Sequence, residues 1–126
     1  MKYFTCSLDN ISLGIPADLI ERIIPVNRSQ TTVYETENDE AFISIPALFR
    51  LKDSTAPHGL VLKSQNPFKT VLLSPKIDIE LEIPEEDIRT LPKALAEIFF
   101  FCKTVCFKGQ DLVLILAPEK IMERER

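Results

Sequence analysis

Ile98-Phe99-Phe100-Phe101-Cys102-Lys103-Thr104-Val105-Cys106-Phe107, then Lys108-Gly109-Gln110-Asp111, then Leu112-Val113-Leu114-Ile115-Leu116, is the stretch that decides the fold class. A long apolar and aromatic run, a polar turn with a glycine and a second apolar run read as a β-hairpin. Phe99 to Phe101 is apolar on both faces, as expected of a strand covered on both sides. Pro118 then opens a helical turn that runs into the charged tail Glu123-Arg124-Glu125-Arg126.

Outward from there the chain repeats the same style. Ile77-Asp78-Ile79-Glu80-Leu81-Glu82-Ile83 alternates with period two and predicts a strand. Its acids Asp78, Glu80 and Glu82 share one face, either solvated or offered to a basic partner. Pro84 to Asp87 reads as a loop, and Leu91-Pro92 breaks the chain again. Gly59 to Leu62 and Thr70 to Leu73 are short buried-strand runs. At the other end, Lys2 to Leu8, the turn signal Asp9-Asn10 and Ile11 to Ile15 predict an opening hairpin. A short turn at Ala17 leads into a strand over Ile20 to Ile24 that Pro25 stops. Asn27 to Gln30 is polar loop, and Thr31 to Tyr34 is β-rich. The acidic run Glu35 to Glu40 reads as an exposed turn. Phe42 to Ile45 is a strand, and Pro46 suits the first position of a helical turn through Arg50. Asp53 to Pro57 is a further loop. Nine or ten short strands at short intervals indicate an all-β barrel or sandwich.

Composition narrows the function. The 126 residues fit one domain, 45% of them hydrophobic and 27% charged, which is a normal globular balance. Net charge is −4, and the fifteen Lys and Arg are scattered among acids, so no basic footprint for nucleic acid is present. The N-terminal run is polar by Ser7, unlike a signal peptide, and no apolar stretch approaches a membrane span. Three cysteines, Cys6, Cys102 and Cys106, give no paired disulfide framework. A reducing cytoplasm is the expected setting. In one strand Cys102 and Cys106 would share a face but lie about 13 Å apart, too far to share a metal ion. His58 is the only histidine, read as an exposed loop residue, and no nucleophile stands beside it in sequence. The three glycines, Gly14, Gly59 and Gly109, are too dispersed for a phosphate loop. No catalytic residue, metal site or cofactor is therefore expected, and the chain is read as a protein that binds other proteins.

The order of features resembles the CheW-like domain of bacterial chemotaxis. Tyr3-Phe4-Thr5-Cys6-Ser7-Leu8 is similar to the family's opening strand, and Leu19-Ile20-Glu21-Arg22-Ile23-Ile24-Pro25 to its V-x-E-I-like segment. Ala41-Phe42-Ile43-Ser44-Ile45 resembles V-P-V-I-D-L, with Ala41 for Pro and Ser44 for Asp. Val71-Leu72-Leu73-Ser74, Glu82-Ile83-Pro84, Leu91-Pro92 and the closing hairpin continue the match over nearly the whole chain. The family's N-L-R-G-like segment has no counterpart in Thr32 to Glu40, and Ala117 replaces a terminal Asp. The resemblance implies a single CheW-like domain over residues 1–126, made of two small five-stranded SH3-like barrels packed side by side, with short helical turns. It implies a cytoplasmic adaptor that scaffolds chemoreceptor cytoplasmic tips and the regulatory domain of a histidine kinase. Leu19, Glu21, Ile23 and Ile43 are the protein-binding positions it carries over. A small β-barrel that binds a metabolite, or a regulatory protein unrelated to chemotaxis, is the alternative.

Overall fold

The opening hairpin forms as the alternation predicts: β1 (Lys2–Leu8) runs antiparallel to β2 (Ile11–Pro16), with Leu8 opposite Ile11. The computed structural model describes residues 1–8, 11–51, 56–63, 69–78, 80–109 and 111–125, with only the backbone of Lys108 and of residues 122–125. The Asp9-Asn10 turn, most of the Asp53 to Pro57 loop, Gln110 and the side chains of the charged tail lie outside the described residues.

Two units emerge from the contacts: Met1–Ala17 with Asp78–Arg126, and Asp18–Ile77. The described residues carry eleven strands and three short α-helices, an all-β architecture in two sheets.

The first unit joins the two ends of the chain. β10 (Cys102–Lys108) and β11 (Asp111–Leu116) form the closing hairpin, and β11 pairs with β2 in parallel. β8 (Glu80–Glu82) flanks β1, and β9 (Ile88–Thr90) flanks β10, so the sheet order is β8-β1-β2-β11-β10-β9. Tyr3, Ile83, Cys106, Val113 and Ile115 fill one buried cluster. Two expectations are corrected here. The alternating run Ile77 to Ile83 gives a strand only over Glu80–Glu82, and Ile79 lies outside the described residues. The closing strand starts at Cys102, not Ile98, because α2 (Lys93–Ile98) and a turn precede it. In that turn the Cys102 amide donates to the Phe99 carbonyl, 3.0 Å. Phe101 is buried, with Phe99 and Phe100 edge-on to it at 6.2 and 5.2 Å. The triple-Phe run is thus an aromatic plug. α3 (Pro118–Glu125) closes the chain and buries Ile121.

The second unit is a mixed sheet of five strands in the order β3-β6-β7-β5-β4. β3 (Ile20–Pro25) follows a 3₁₀ turn at Ala17–Leu19 and ends at Pro25, as expected. β4 (Tyr34–Glu37) and β5 (Glu40–Ser44) correct the reading of the acidic run. Glu35 to Glu37 are strand, and only Asn38 and Asp39 form the turn. Both have positive φ, 50° and 63°, the conformation that a two-residue hairpin loop of the favoured hand requires. Ser44 caps α1 (Ile45–Leu48), its Oγ accepting from the Ala47 amide at 3.2 Å, so Ile45 is helical and Pro46 takes the second position. β6 (His58–Leu62) and β7 (Lys69–Ser74) are the central strands, with Leu60, Leu72 and Ile43 fully buried.

Gly59 is where this sheet tolerates no side chain. A Cβ there would sit 2.8 Å from Val26 Cγ1 and 3.0 Å from Val71 Cγ1. Gly59→Ala is expected to destabilise by about 1–3 kcal/mol, the usual range for overpacking. Urea unfolding checks this; a variant as stable as the parent would contradict the packing.

Candidate protein-binding surface

Among the described residues β3 is an edge strand, paired with β6. Its start is pinned by the Lys63 amide, which donates to the Leu19 carbonyl at 2.8 Å. A register shift between Ile20 and Arg22 sets Ile20 opposite Leu62 and Ile23 opposite Leu60. Two residues that are three apart thereby face the same side of the sheet. Ile20 is buried there, whereas Ile23 remains 42% exposed and Leu19 38%. Single exposed apolar residues are ordinary; Leu19 and Ile23 are two large ones, one in the 3₁₀ turn and one on the bulged edge strand.

Glu21 lies at the shift, between them. Its Oε2 is 3.4 Å from Lys69 Nζ of β7, with both side chains well exposed. The cation beside Glu21 is therefore Lys69, supplied from a segment distant in sequence. Pairs this exposed contribute at most about 1 kcal/mol. The pair orients Glu21 more than it stabilises the fold.

The fourth expected position does not join this surface. Ile43 sits in β5 with 0% exposure, opposite Leu72 of β7 and Tyr34 of β4. The apolar pattern that nominated it is the pattern of a core strand. Leu19, Glu21 and Ile23 are exposed; Ile43 is buried in the sheet.

Sequence reasoning missed a polar cluster on the second unit. Arg28 lies in the expected loop, and its guanidinium is 4.1 Å from the Phe42 ring centroid. It bonds Glu37 at 2.6 Å and approaches Glu35 at 3.8 Å. Its Nε donates to Gln30 Oε1 at 3.0 Å. Gln30 is buried and donates to the carbonyls of Thr32 and Phe42, both at 3.0 Å. The cluster ties the loop before β4 to β5. The i, i+2 acids Glu35 and Glu37 of one strand face were the available signal for it.

Of the acidic face expected on β8, Glu80 meets Lys2 at 3.7 Å and Glu82 meets the N-terminal ammonium at 2.9 Å. Asp78 accepts from Ser7 Oγ at 2.6 Å. These acids are engaged with β1.

His58 is the chain's one histidine. It belongs to β6 rather than a loop and lies opposite Ser74 across the β6–β7 ladder. Ser74 is fully buried, and among the described residues its Oγ has no hydrogen-bond partner, so it makes no contact with the His58 ring. Among the described residues, no group of three His, Cys, Asp or Glu is placed to hold a metal ion. No helix among them is long and apolar enough to cross a membrane.

All three cysteines are buried thiols, none of them in a disulfide. A β-bulge between Cys102 and Thr104 interrupts the alternation that was expected to set Cys102 and Cys106 on one face. Burial pushes the Cys102 thiol up to about 12, far from the reactive thiolate range. Thiol titration of the native protein should therefore be slow at all three sites and rapid after unfolding. Fast labelling of Cys102 in the native state would contradict its burial.

No family model matches the chain, and no curated protein sequence matches it. Solved structures do. The scaffolding protein TtCheW from Thermoanaerobacter tengcongensis superposes with a TM-score of 0.67 at 14% identity, over 91% of this chain and 87% of that one. The chain shares the fold of a CheW scaffolding protein.

Proposed function

We propose that this chain is a CheW-like adaptor, acting as a single domain over residues 1–126 in the cytoplasm. It scaffolds chemoreceptor cytoplasmic tips and the regulatory domain of a histidine kinase by binding alone, without turnover or cofactor. The observation that carries this reading is the β3 surface, exposed Leu19 and Ile23 around Glu21, on a fold shared with a CheW scaffolding protein. Exposed apolar residues and a charge on one edge-strand segment suit a protein interface: the apolar groups supply burial, and the charge selects the partner. Leu19, Glu21 and Ile23 are the contact residues, and Ile43 is a core residue of the same sheet.

Calorimetric titration of the purified chain with a kinase regulatory domain, and with a receptor tip fragment, tests the reading. Binding to each, and a ternary complex on mixing all three, is the expected result. Binding to neither would contradict it.

A further inference from the structure

The first unit carries a cleft of about 740 Å³ that plays no part in the β3 surface. Its apolar wall is Leu91, Ala96, Phe100 and Cys102. Leu91 and Cys102 are buried, and Phe100 rests edge-on against the buried Phe101 ring, so this wall is anchored in the core. α2, which contributes Ala96, buries none of its own residues and leaves Ala96 open to the cleft.

The charged residues of the lining are Lys103 and Lys120, in a chain whose net charge is −4. Lys103 is neutralised by Glu119 at 2.8 Å. The charge of Lys120 also acts on the Glu119 carboxylate, so both lysines bear on one acid. A pocket for a small anion would enclose its ligand and converge several polar groups on it. Here the cleft is open to solvent, and its described lining holds two lysines and no acid beside a broad apolar wall. That combination matches the groove mode of recognition, in which an amphipathic helix lays its apolar face into a groove while its polar face meets the rim. The rim's sign selects acids on the incoming segment.

We propose that this cleft docks the apolar face of an acidic amphipathic helix from a partner protein. The inference is independent of the β3 surface, because no residue is shared between the two.

The test is an NMR titration of the ¹⁵N-labelled full chain with synthetic peptides. One has leucines on one helical face and glutamates on the other; a second has lysines in place of the glutamates. The acidic peptide should shift the amide signals of Thr90, Ala96, Phe100 and Thr104, and the basic peptide should not bind. Lys120→Glu should weaken the acidic peptide by about tenfold or more. Ala96→Arg, a substitution that keeps helix propensity, should block it sterically. Shifts that map elsewhere, or equal binding of both peptides, would overturn the proposal. So would unchanged affinity in both variants with normal thermal melting. Decanoate shifting the cleft signals where the acidic peptide does not would also overturn it, in favour of a small-ligand pocket.

Discussion

Ile43→Ala should lower the unfolding free energy by about 2–5 kcal/mol, the cost of removing buried methyl groups and leaving a cavity. Ile43 is fully enclosed between the central strand β7 and the β4 edge, so the lost contacts face other core side chains such as Leu72. Neighbouring strands are fixed by their ladders and collapse only partly into the gap. Urea unfolding of the variant against the parent gives the number. A change under about 0.5 kcal/mol, the size expected of a surface substitution, would mean that Ile43 is not core. The result also separates two roles for one residue. A contact residue would lose binding with its stability intact, whereas a core residue loses stability first.

That distinction was beyond the sequence. Ala41-Phe42-Ile43-Ser44-Ile45 reads as a strand, but alternation alone does not say which face meets a core and which a partner. Only the pairing of β5 with both β4 and β7 places Ile43 inside. The β3 segment was more legible, since Pro25 marks its end and its apolar residues suit a strand. Its exposure was not, because a register shift between Ile20 and Arg22 changes which side chains share a face. A bulge shifts the period-two phase by one residue, and a six-residue strand is too short to show where the shift falls.

The same physics explains the misread elements. Phe99 to Phe101 is apolar in every direction, which a buried strand and a buried turn satisfy equally. Lys93 to Ile98 contains good helix formers, but six residues are too few for a helical period to show. β9 has three residues and offers no pattern at all. In Glu35 to Glu40 the charges hid a strand, although Asn38-Asp39 was a usable hairpin signal. Where turn chemistry and alternation agreed, as in the opening hairpin, the register followed directly.

The account rests on β3 as a contact surface, and Glu21→Arg tests it most directly. Glu21 is exposed and its pair with Lys69 is worth little to the fold, so thermal melting should stay close to that of the parent. At an interface the reversed charge would stand beside Lys69, facing groups selected to meet an acid, and would oppose association. Loss of affinity should be roughly 2 kcal/mol or more, about thirtyfold in Kd. The measurement is the Kd of Glu21→Arg for the kinase regulatory domain and for the receptor tip, with melting as the folding control. The account predicts a folded variant that binds at least one of them about thirtyfold more weakly than the parent. Parental affinity for both, in a variant that melts normally, would contradict it.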